Sequence, residues 1–311
     1  MAVVELERES LATVKEESYW RVIWNRFRKH KLAVAGMVSI GLIAAACFLA
    51  PWVAPYPPTQ INKDENGQIL KNAPPSGQFI MGTDNIGRDV FSRLLYAGRI
   101  SLSIAFVVTL IAETIGALIG AISGYYGGAV DDVIQRTVEF LLTLPLLPLL
   151  LAFSALLRGM RIPGLPEEWS SAVIISVILI VFGWMGSSRL MRGMVLSLRN
   201  QEFTEAARAM GLSNFGIIVR HMIPNAMAPI IVSATLSLGG VIIYESALSF
   251  LGFGIQPPIP TWGNMLSEYQ NDMWTQPAKV FYPGLAIFIC NLSFNYIGDA
   301  LRDALDPRLK M

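Results

Sequence analysis

Residues 202–225 read EFTEAARAMGLSNFGIIVRHMIPN, and they predict a helix, a sharp turn and a second helix. The first nine residues are strong helix formers. Gly211 follows at the position after a helix C-cap, where a left-handed backbone favours glycine. Ser213 can cap a second helix over residues 215–222, before Pro224. We therefore expect a compact helix–glycine–helix elbow.

Long apolar stretches lie on both sides of this elbow, and they predict the fold class. A helix needs roughly 20 apolar residues to cross about 30 Å of hydrocarbon. Six stretches meet this requirement: 32–53, 100–123, 133–157, 171–188, 226–250 and 280–298. Only 15% of the 311 residues are charged, against roughly 25% in a typical water-soluble domain. The sequence therefore predicts an all-α integral membrane protein with six transmembrane helices.

The distribution of arginine and lysine predicts how the bundle is oriented. These residues are frequent before the first span, between the fourth and fifth spans, and after the sixth. We therefore expect both termini and the loop 189–225 to be cytoplasmic. Arg88, Arg93 and Arg99 fall in a loop that this orientation places outside. A short interfacial helix, capped by Thr83 or Asp84, would hold them at the membrane surface.

Charge and hydropathy divide the chain into four parts. These are a cytoplasmic amphipathic segment (1–31), the first span with an extracytoplasmic loop (32–99), the transmembrane core with its loop 189–225 (100–298), and a solvated cytoplasmic tail (299–311).

The motifs of several enzyme classes are absent from the sequence. It contains no Gly-Lys pair and therefore no Walker A loop. It contains no His-Glu-x-x-His and no Gly-x-Ser-x-Gly, and its only histidines are His30 and His221. Cys47 and Cys290 lie inside apolar runs, where we expect two buried free thiols. The chain is therefore expected to be no enzyme and to hold no metal or cofactor of its own.

Several motifs resemble one family of membrane proteins. Glu-Ala-Ala at 205–207, Gly211 and Pro224 resemble the EAA loop of ABC importer permeases. That loop usually ends Ile-x-Leu-Pro, whereas residues 221–224 read His-Met-Ile-Pro, an ending similar to the peptide-permease subfamily. Other stretches resemble the C-type permease subunit of the dipeptide/oligopeptide/nickel transport family: 82–93, 124–132, 245–266 and 298–308.

This resemblance implies a type I ABC importer permease fold in a bacterial or archaeal plasma membrane. With a second permease subunit, as a heterodimer, the chain would form the translocation pathway for peptides. Nickel chelates and oligosaccharides are alternative cargoes within the family. Two partner ATP-binding subunits would hold ATP and Mg²⁺, and an extracytoplasmic solute-binding protein would deliver the cargo. An ion-coupled secondary transporter is the competing class, but the inverted repeat that it would need is not visible in the sequence.

In this family the EAA loop docks on the ATPase. The resemblance therefore implies ATPase coupling by Glu205, Ala206, Ala207, Arg208 and Gly211. The small alanines would allow close approach of a partner, and the charged side chains could hydrogen bond at the rim of the contact.

Polar residues within or beside the apolar spans are further candidates. Glu113 lies mid-span, where a charge costs at least about 2.5–3.5 kcal/mol; it could line the pathway and contact a cargo amine, or make a structural hydrogen bond. Glu245 lies near the outer end of the fifth span, where we favour packing or loop anchoring over pathway lining. Asn291 and Asn295 share a helix face, and we expect interhelical hydrogen bonds from them, with lining of the pathway as the alternative. Trp262 is expected to anchor at the membrane interface or to contact the binding protein.

Two patterns concern helix packing. Gly116, Gly120 and Gly124 have the small-xxx-small spacing that predicts close contact with another helix, of this bundle or of the partner permease. Pro145 and Pro148 predict a kink in the third span.

Overall fold

A computed structural model describes residues 19–306, and helices dominate this part of the chain. They are α1 (Tyr19–Phe27), α2 (Lys31–Phe48), α3 (Ala50–Val53), α4 (Val90–Tyr126), α5 (Gly128–Thr143), α6 (Leu146–Leu156), α7 (Glu167–Gly183), α8 (Met185–Leu198), α9 (Glu202–Ala209), α10 (Asn214–Ile217), α11 (Ile223–Phe250), α12 (Trp262–Tyr269) and α13 (Pro277–Leu305). Expectations about residues 1–18 and 307–311 lie outside the described residues.

Five helical stretches within residues 19–306 are long and apolar enough to cross a membrane. They are Lys31–Phe48, Val90–Tyr126, Glu167–Leu198, Asn214–Phe250 and Pro277–Leu305. Helices α5 and α6 form a sixth candidate span only as a broken pair, bent by 89°. The break falls at Pro145, which precedes α6 and has no backbone N–H to continue the ladder of α5. The kink expected from the prolines is therefore confirmed, and the six predicted spans correspond to five continuous stretches and one bent pair.

Helix α4 begins ten residues earlier than predicted. The prediction of a separate interfacial helix is wrong, because the apolar residues assigned to it form the first turns of α4. The cap is Asp89, whose carboxylate accepts a hydrogen bond from the Ser92 amide at 2.8 Å. Asp84 does not cap this helix, because its carboxylate accepts the backbone N–H groups of its own turn, from Ile86 and Arg88.

The last helix extends beyond the predicted boundary at residue 298. Helix α13 continues to Leu305, so the start of the predicted tail is helical. Helix α1 packs on this extension through a small apolar cluster of Ile23, Phe27, Ala300 and Ala304. The Arg26 guanidinium also donates to the Asp306 carbonyl at 3.3 Å. Burial of one face therefore keeps residues 299–305 helical, while Asp299 and Asp303 remain exposed.

The centre of the bundle is the contact of α4 with α8. A Cβ atom on Gly116 would lie 1.9 Å from the Ser187 hydroxyl, and one on Gly120 would lie 2.2 Å from the Ser188 carbonyl. Gly124 approaches the next turn of α8 in the same way. The predicted close packing is therefore confirmed, and the neighbour is a helix of the same chain.

Candidate functional site

The elbow between the fourth and fifth spans has the backbone geometry that the sequence predicts. Gly211 has a φ of +80°. Its amide donates to the Arg208 carbonyl at 2.9 Å, and the Leu212 amide donates to the Ala207 carbonyl at 3.2 Å. These two bonds form the Schellman ending of α9, in which glycine occupies the left-handed position.

The second arm of the elbow is continuous with the fifth span. The Ser213 hydroxyl caps α10 by accepting the Gly216 amide at 3.2 Å, as predicted. Helix α10 then leads through a π-helical turn, Ile218–Met222, directly into α11. Pro224 lies in the first turn of α11, directly after this π-helical turn. The second arm of the elbow and the fifth span thus form one helical stretch, Asn214–Phe250.

The elbow has one face against the bundle and one face in solvent. Ala207 is fully buried, whereas Glu205, Ala206 and Arg208 are exposed. Met210 and Phe215, one on each arm, are each 70% exposed. Large apolar side chains held rigidly on an exposed loop are typical of a surface that contacts another protein.

Tyr125 joins the elbow to the end of α4. Its hydroxyl donates to the Asn214 side chain at 2.9 Å and accepts from Arg208 Nε at 3.4 Å. The Arg208 guanidinium also lies over the Tyr125 ring, 5.3 Å from its centroid. Arg208 therefore contacts its own chain. Tyr125 is not among the predicted site residues, although it lies in one of the motifs that carry the family resemblance.

Glu113 is 6% exposed and lies between α4 and α11. Its Oε1 atom accepts hydrogen bonds from Ser237 at 2.8 Å and from Ser233 at 3.2 Å. Its Oε2 atom is buried without a hydrogen-bond partner among the described residues. Two roles were predicted for Glu113, and the structure shows one of them, the structural hydrogen bonds.

Glu245 is buried, in agreement with the packing or loop-anchoring role that the sequence favours for it. The residue is 1% exposed, and its carboxylate accepts from Ser249 at 2.8 Å and from Ser101 at 3.4 Å. The Ser101 hydroxyl also accepts the Trp262 amide at 3.2 Å. Glu245 therefore anchors the segment after α11 to α4 and faces no open pathway in this chain.

Trp262 is also buried, with 1% of its surface exposed. Its indole N–H donates to the Leu94 carbonyl at 3.2 Å, and its ring occupies the space beside Gly98. Both predicted roles are wrong: in this chain the side chain reaches neither a membrane interface nor a surface open to a binding protein.

Asn291 and Asn295 lie on one face of α13, as predicted, but they hydrogen bond within that helix. The Asn295 amide donates to the Asn291 side chain at 3.2 Å and to its carbonyl at 2.8 Å. Asn291 packs instead on Gly239 of α11, where a Cβ atom would lie 2.5 Å from its side-chain oxygen. The predicted interhelical hydrogen bonds are therefore absent from the described residues.

A buried ion network lies at the end of the bundle opposite the elbow. Arg88 and Arg93 each contact two carboxylates: Asp84, at 2.6 and 2.8 Å, and Glu268, at 2.6 Å from both arginines. Burial alone would raise the pKa of Asp84, but the two arginines and the Arg88 amide lower it below its usual range. Burial raises the pKa of Tyr269, which lies beside Arg93. The two arginines are thus neutralised within the protein.

The long apolar helices define the chain as a multi-span membrane protein, and comparisons with known proteins identify its family. Residues 116–311 match the family described as binding-protein-dependent transport system inner membrane component. Residues 18–75 match the N-terminal transmembrane domain of oligopeptide transport permease C. The chain belongs to this family of ABC importer permeases, in its C-type branch, so the predicted fold class and family are confirmed.

Individual relatives cover nearly the whole chain. The dipeptide transport system permease protein DppC of Alkalihalophilus pseudofirmus is 39% identical over 293 residues, which cover 94% of this chain and 91% of the relative. The DppC protein of Bacillus subtilis is 36% identical, with 94% and 87% covered. The glutathione transport system permease protein GsiD of Pectobacterium atrosepticum is 36% identical, with 97% and 96% covered.

Among solved structures, a chain of the MetNI methionine ABC transporter in an inward-facing conformation is 17% identical. The alignment covers 69% of this chain and 97% of that chain, with a TM-score of 0.47. The assignment of the family rests on the sequence relatives.

Proposed function

We propose that this chain is one of two permease subunits of a peptide importer and forms the translocation pathway with a second permease. The relatives are named for dipeptide and glutathione transport, and glutathione is itself a short peptide. Two partner subunits bind ATP and Mg²⁺ and supply the energy, and a solute-binding protein delivers cargo to the face opposite the elbow. Both termini and the elbow face the cytoplasm of a bacterial or archaeal cell.

The observation that carries this proposal is the exposed, rigid elbow. Met210 and Phe215 present two large apolar side chains on arms fixed by the Schellman turn at Gly211. Burying such a side chain on a partner stabilises the contact by about 1.5–3 kcal/mol. A docking site for the ATPase needs both properties, because a flexible loop would absorb the movement that it should transmit.

The route from the elbow into the membrane follows from the same contacts. A partner that moves the elbow moves the continuous rod 214–250. Tyr125 links the elbow to the end of α4, and Glu113 links the middle of α4 to Ser233 and Ser237 on that rod. Movement of α11 is thereby coupled to α4, so the bundle can alternate between two packed arrangements according to the nucleotide state of the partner.

Uptake of a labelled dipeptide by proteoliposomes that contain the whole transporter tests the function. We expect uptake to require ATP, the ATP-binding subunits and the solute-binding protein. Transport by this chain alone without ATP would overturn the proposal.

Co-purification tests the docking face. Met210→Glu with Phe215→Glu should reduce recovery of the ATP-binding subunits about tenfold or more, because two charges would be buried at the contact. Met273→Glu is the matched control, since Met273 is a 43% exposed methionine at the opposite end of the bundle. Equal recovery of the ATP-binding subunits with the double variant and with the control would show that the elbow is not part of the contact.

A further inference from the structure

A cavity of about 530 Å³ opens at the end of the bundle opposite the elbow. It lies between the end of α6, the start of α7 and the segment that follows α11. Most of its wall is apolar, and its lining includes Ser154, Arg158, Glu168, Ile175 and Phe253. Its volume is within the range of about 300–1,000 Å³ that is typical of small-ligand sites.

Arg158 and Glu168 line this cavity, and neither has an ion-pair partner among the described residues. Arg161 and Glu167, on the same rim, neutralise each other at 2.7 Å. Arg158 and Glu168 are exposed, and no ion pair joins either of them to another residue in 19–306. The Arg158 guanidinium lies over the Phe253 ring, 5.7 Å from its centroid, a contact that leaves its N–H edge available to a carboxylate.

A buried polar group also faces the cavity. Ser154 is 3% exposed, and its hydroxyl has no hydrogen-bond partner among the described residues. A buried hydroxyl without a partner is unfavourable by about 1–3 kcal/mol, so it indicates a place where a ligand or a water completes the hydrogen bonding.

We infer that this cavity is an acceptor site for a short zwitterionic peptide with apolar side chains. Arg158 binds the terminal carboxylate, Glu168 binds the terminal ammonium, and the Ser154 hydroxyl bonds a peptide group in between. Ile175 and Phe253 contact the apolar side chains. This inference rests on the proposed function and deepens it: the permease itself holds the cargo after the solute-binding protein releases it.

Direct binding to the four-subunit complex in nanodiscs, without the solute-binding protein, tests this assignment. The probes are the dipeptide leucyl-phenylalanine and its C-terminal amide, titrated by saturation-transfer NMR. We expect Arg158→Gln to weaken binding of the dipeptide about tenfold, by loss of a charge-assisted bidentate contact. The amide should bind the wild-type protein about as weakly as the dipeptide binds the Arg158→Gln variant. The substitution Arg158→Gln should not weaken binding of the amide any further. Glu168→Gln is expected to weaken the dipeptide and the amide alike, because both retain the ammonium group.

Lys63→Gln is the matched control, because it removes one exposed charge at the same end of the bundle but outside the cavity. Unchanged dipeptide binding by both the Arg158 and Glu168 variants would overturn the inference. So would an Arg158 variant that retains the dipeptide but loses affinity for the solute-binding protein, which would make the cavity part of a protein contact. If the wild-type transporter imports dipeptide but the complex gives no signal, only this inference fails. If it imports no peptide, the proposed function fails.

Discussion

Gly211 provides the sharpest test of the elbow, through the substitution Gly211→Val. No atom lies within 4 Å of a Cβ placed on Gly211, so the new side chain meets no steric obstacle. The effect must therefore come from the backbone. A φ of +80° costs a residue other than glycine roughly 1–2 kcal/mol, and a β-branched residue belongs at the upper end of that range.

The free energy of this backbone strain is comparable to that of the hydrogen bonds that hold the turn closed. The two bonds of the Schellman ending contribute about 0.5–1.5 kcal/mol each. Strain of about 1–2 kcal/mol therefore reduces the ratio of closed to open elbow by a factor of about 5–30. Because a partner binds only the closed form, its apparent Kd should rise as the closed fraction falls, by up to about fivefold. The spans themselves should be unaffected, since Gly211 lies outside them.

The assay measures two quantities on the reconstituted transporter: the apparent Kd of the ATP-binding subunits and the number of dipeptides imported per ATP hydrolysed. We expect Gly211→Val to weaken docking by up to about fivefold and to lower the transport ratio, with an unchanged unfolding temperature of the membrane subunit. Gly211→Asn is the matched control, because asparagine tolerates a left-handed backbone, and its effect should be much smaller. Equal docking and transport by the valine and asparagine variants would refute the reasoning.

Three further predictions follow from contacts elsewhere in the chain. Gly120→Ala should destabilise the permease by about 1–3 kcal/mol, because the new methyl group would lie 2.2 Å from a backbone carbonyl of α8; thermal unfolding in detergent measures this. Glu113→Leu should reduce transport and stability, because the Ser233 and Ser237 hydroxyls lose their acceptor, whereas Glu113→Gln keeps an oxygen for them and should retain more of both. Asp84 has a lowered pKa in the folded protein, so its stabilising effect is complete above its unfolded pKa of about 3.9 and is lost as pH falls through the lower folded value. Proteolysis of the 54–89 loop should accordingly accelerate only in acid.

Each of these predictions has its own control. Gly41→Ala should be harmless, since no atom lies within 4 Å of a Cβ at that glycine. Identical transport by the leucine and glutamine variants of Glu113 would show that its hydrogen bonds do not matter. Asp84→Asn should be protease-sensitive at neutral pH and should lose the acid-dependent step. A variant that kept this step would assign it to another group.

Local interactions explain why the elbow could be predicted in detail. The left-handed position of Gly211 and the Ser213 cap are decided by residues within five positions of each other, so they can be recognised in the sequence. The resemblance of this segment and its spacing to a known loop also led to the correct family. The roles of Glu205 and its neighbours at an ATPase stay predictions.

Long-range contacts explain the errors at the opposite end. Trp262 was expected at the membrane interface or at a surface for the binding protein, but it is buried, and its partner Leu94 is 168 positions away. Glu245 was expected to pack or to anchor a loop, but nothing local shows that its partner is Ser101, 144 positions earlier. Whether a tryptophan or a carboxylate near the end of a span is exposed depends on what packs over it, and no local pattern records that.

The sequence by itself determined the membrane class, the approximate positions of the spans and the elbow, because apolar length and helix-ending chemistry act over a few turns of helix. Only the tertiary structure decided that the glycine stripe packs within the chain and that Glu268 completes the pairing of Arg88 and Arg93. It also decided that a cavity holds Arg158, Glu168 and Ser154 together. The physical reason is that packing and ion pairing depend on distance in space, and residues far apart in the chain become neighbours only when the helices assemble.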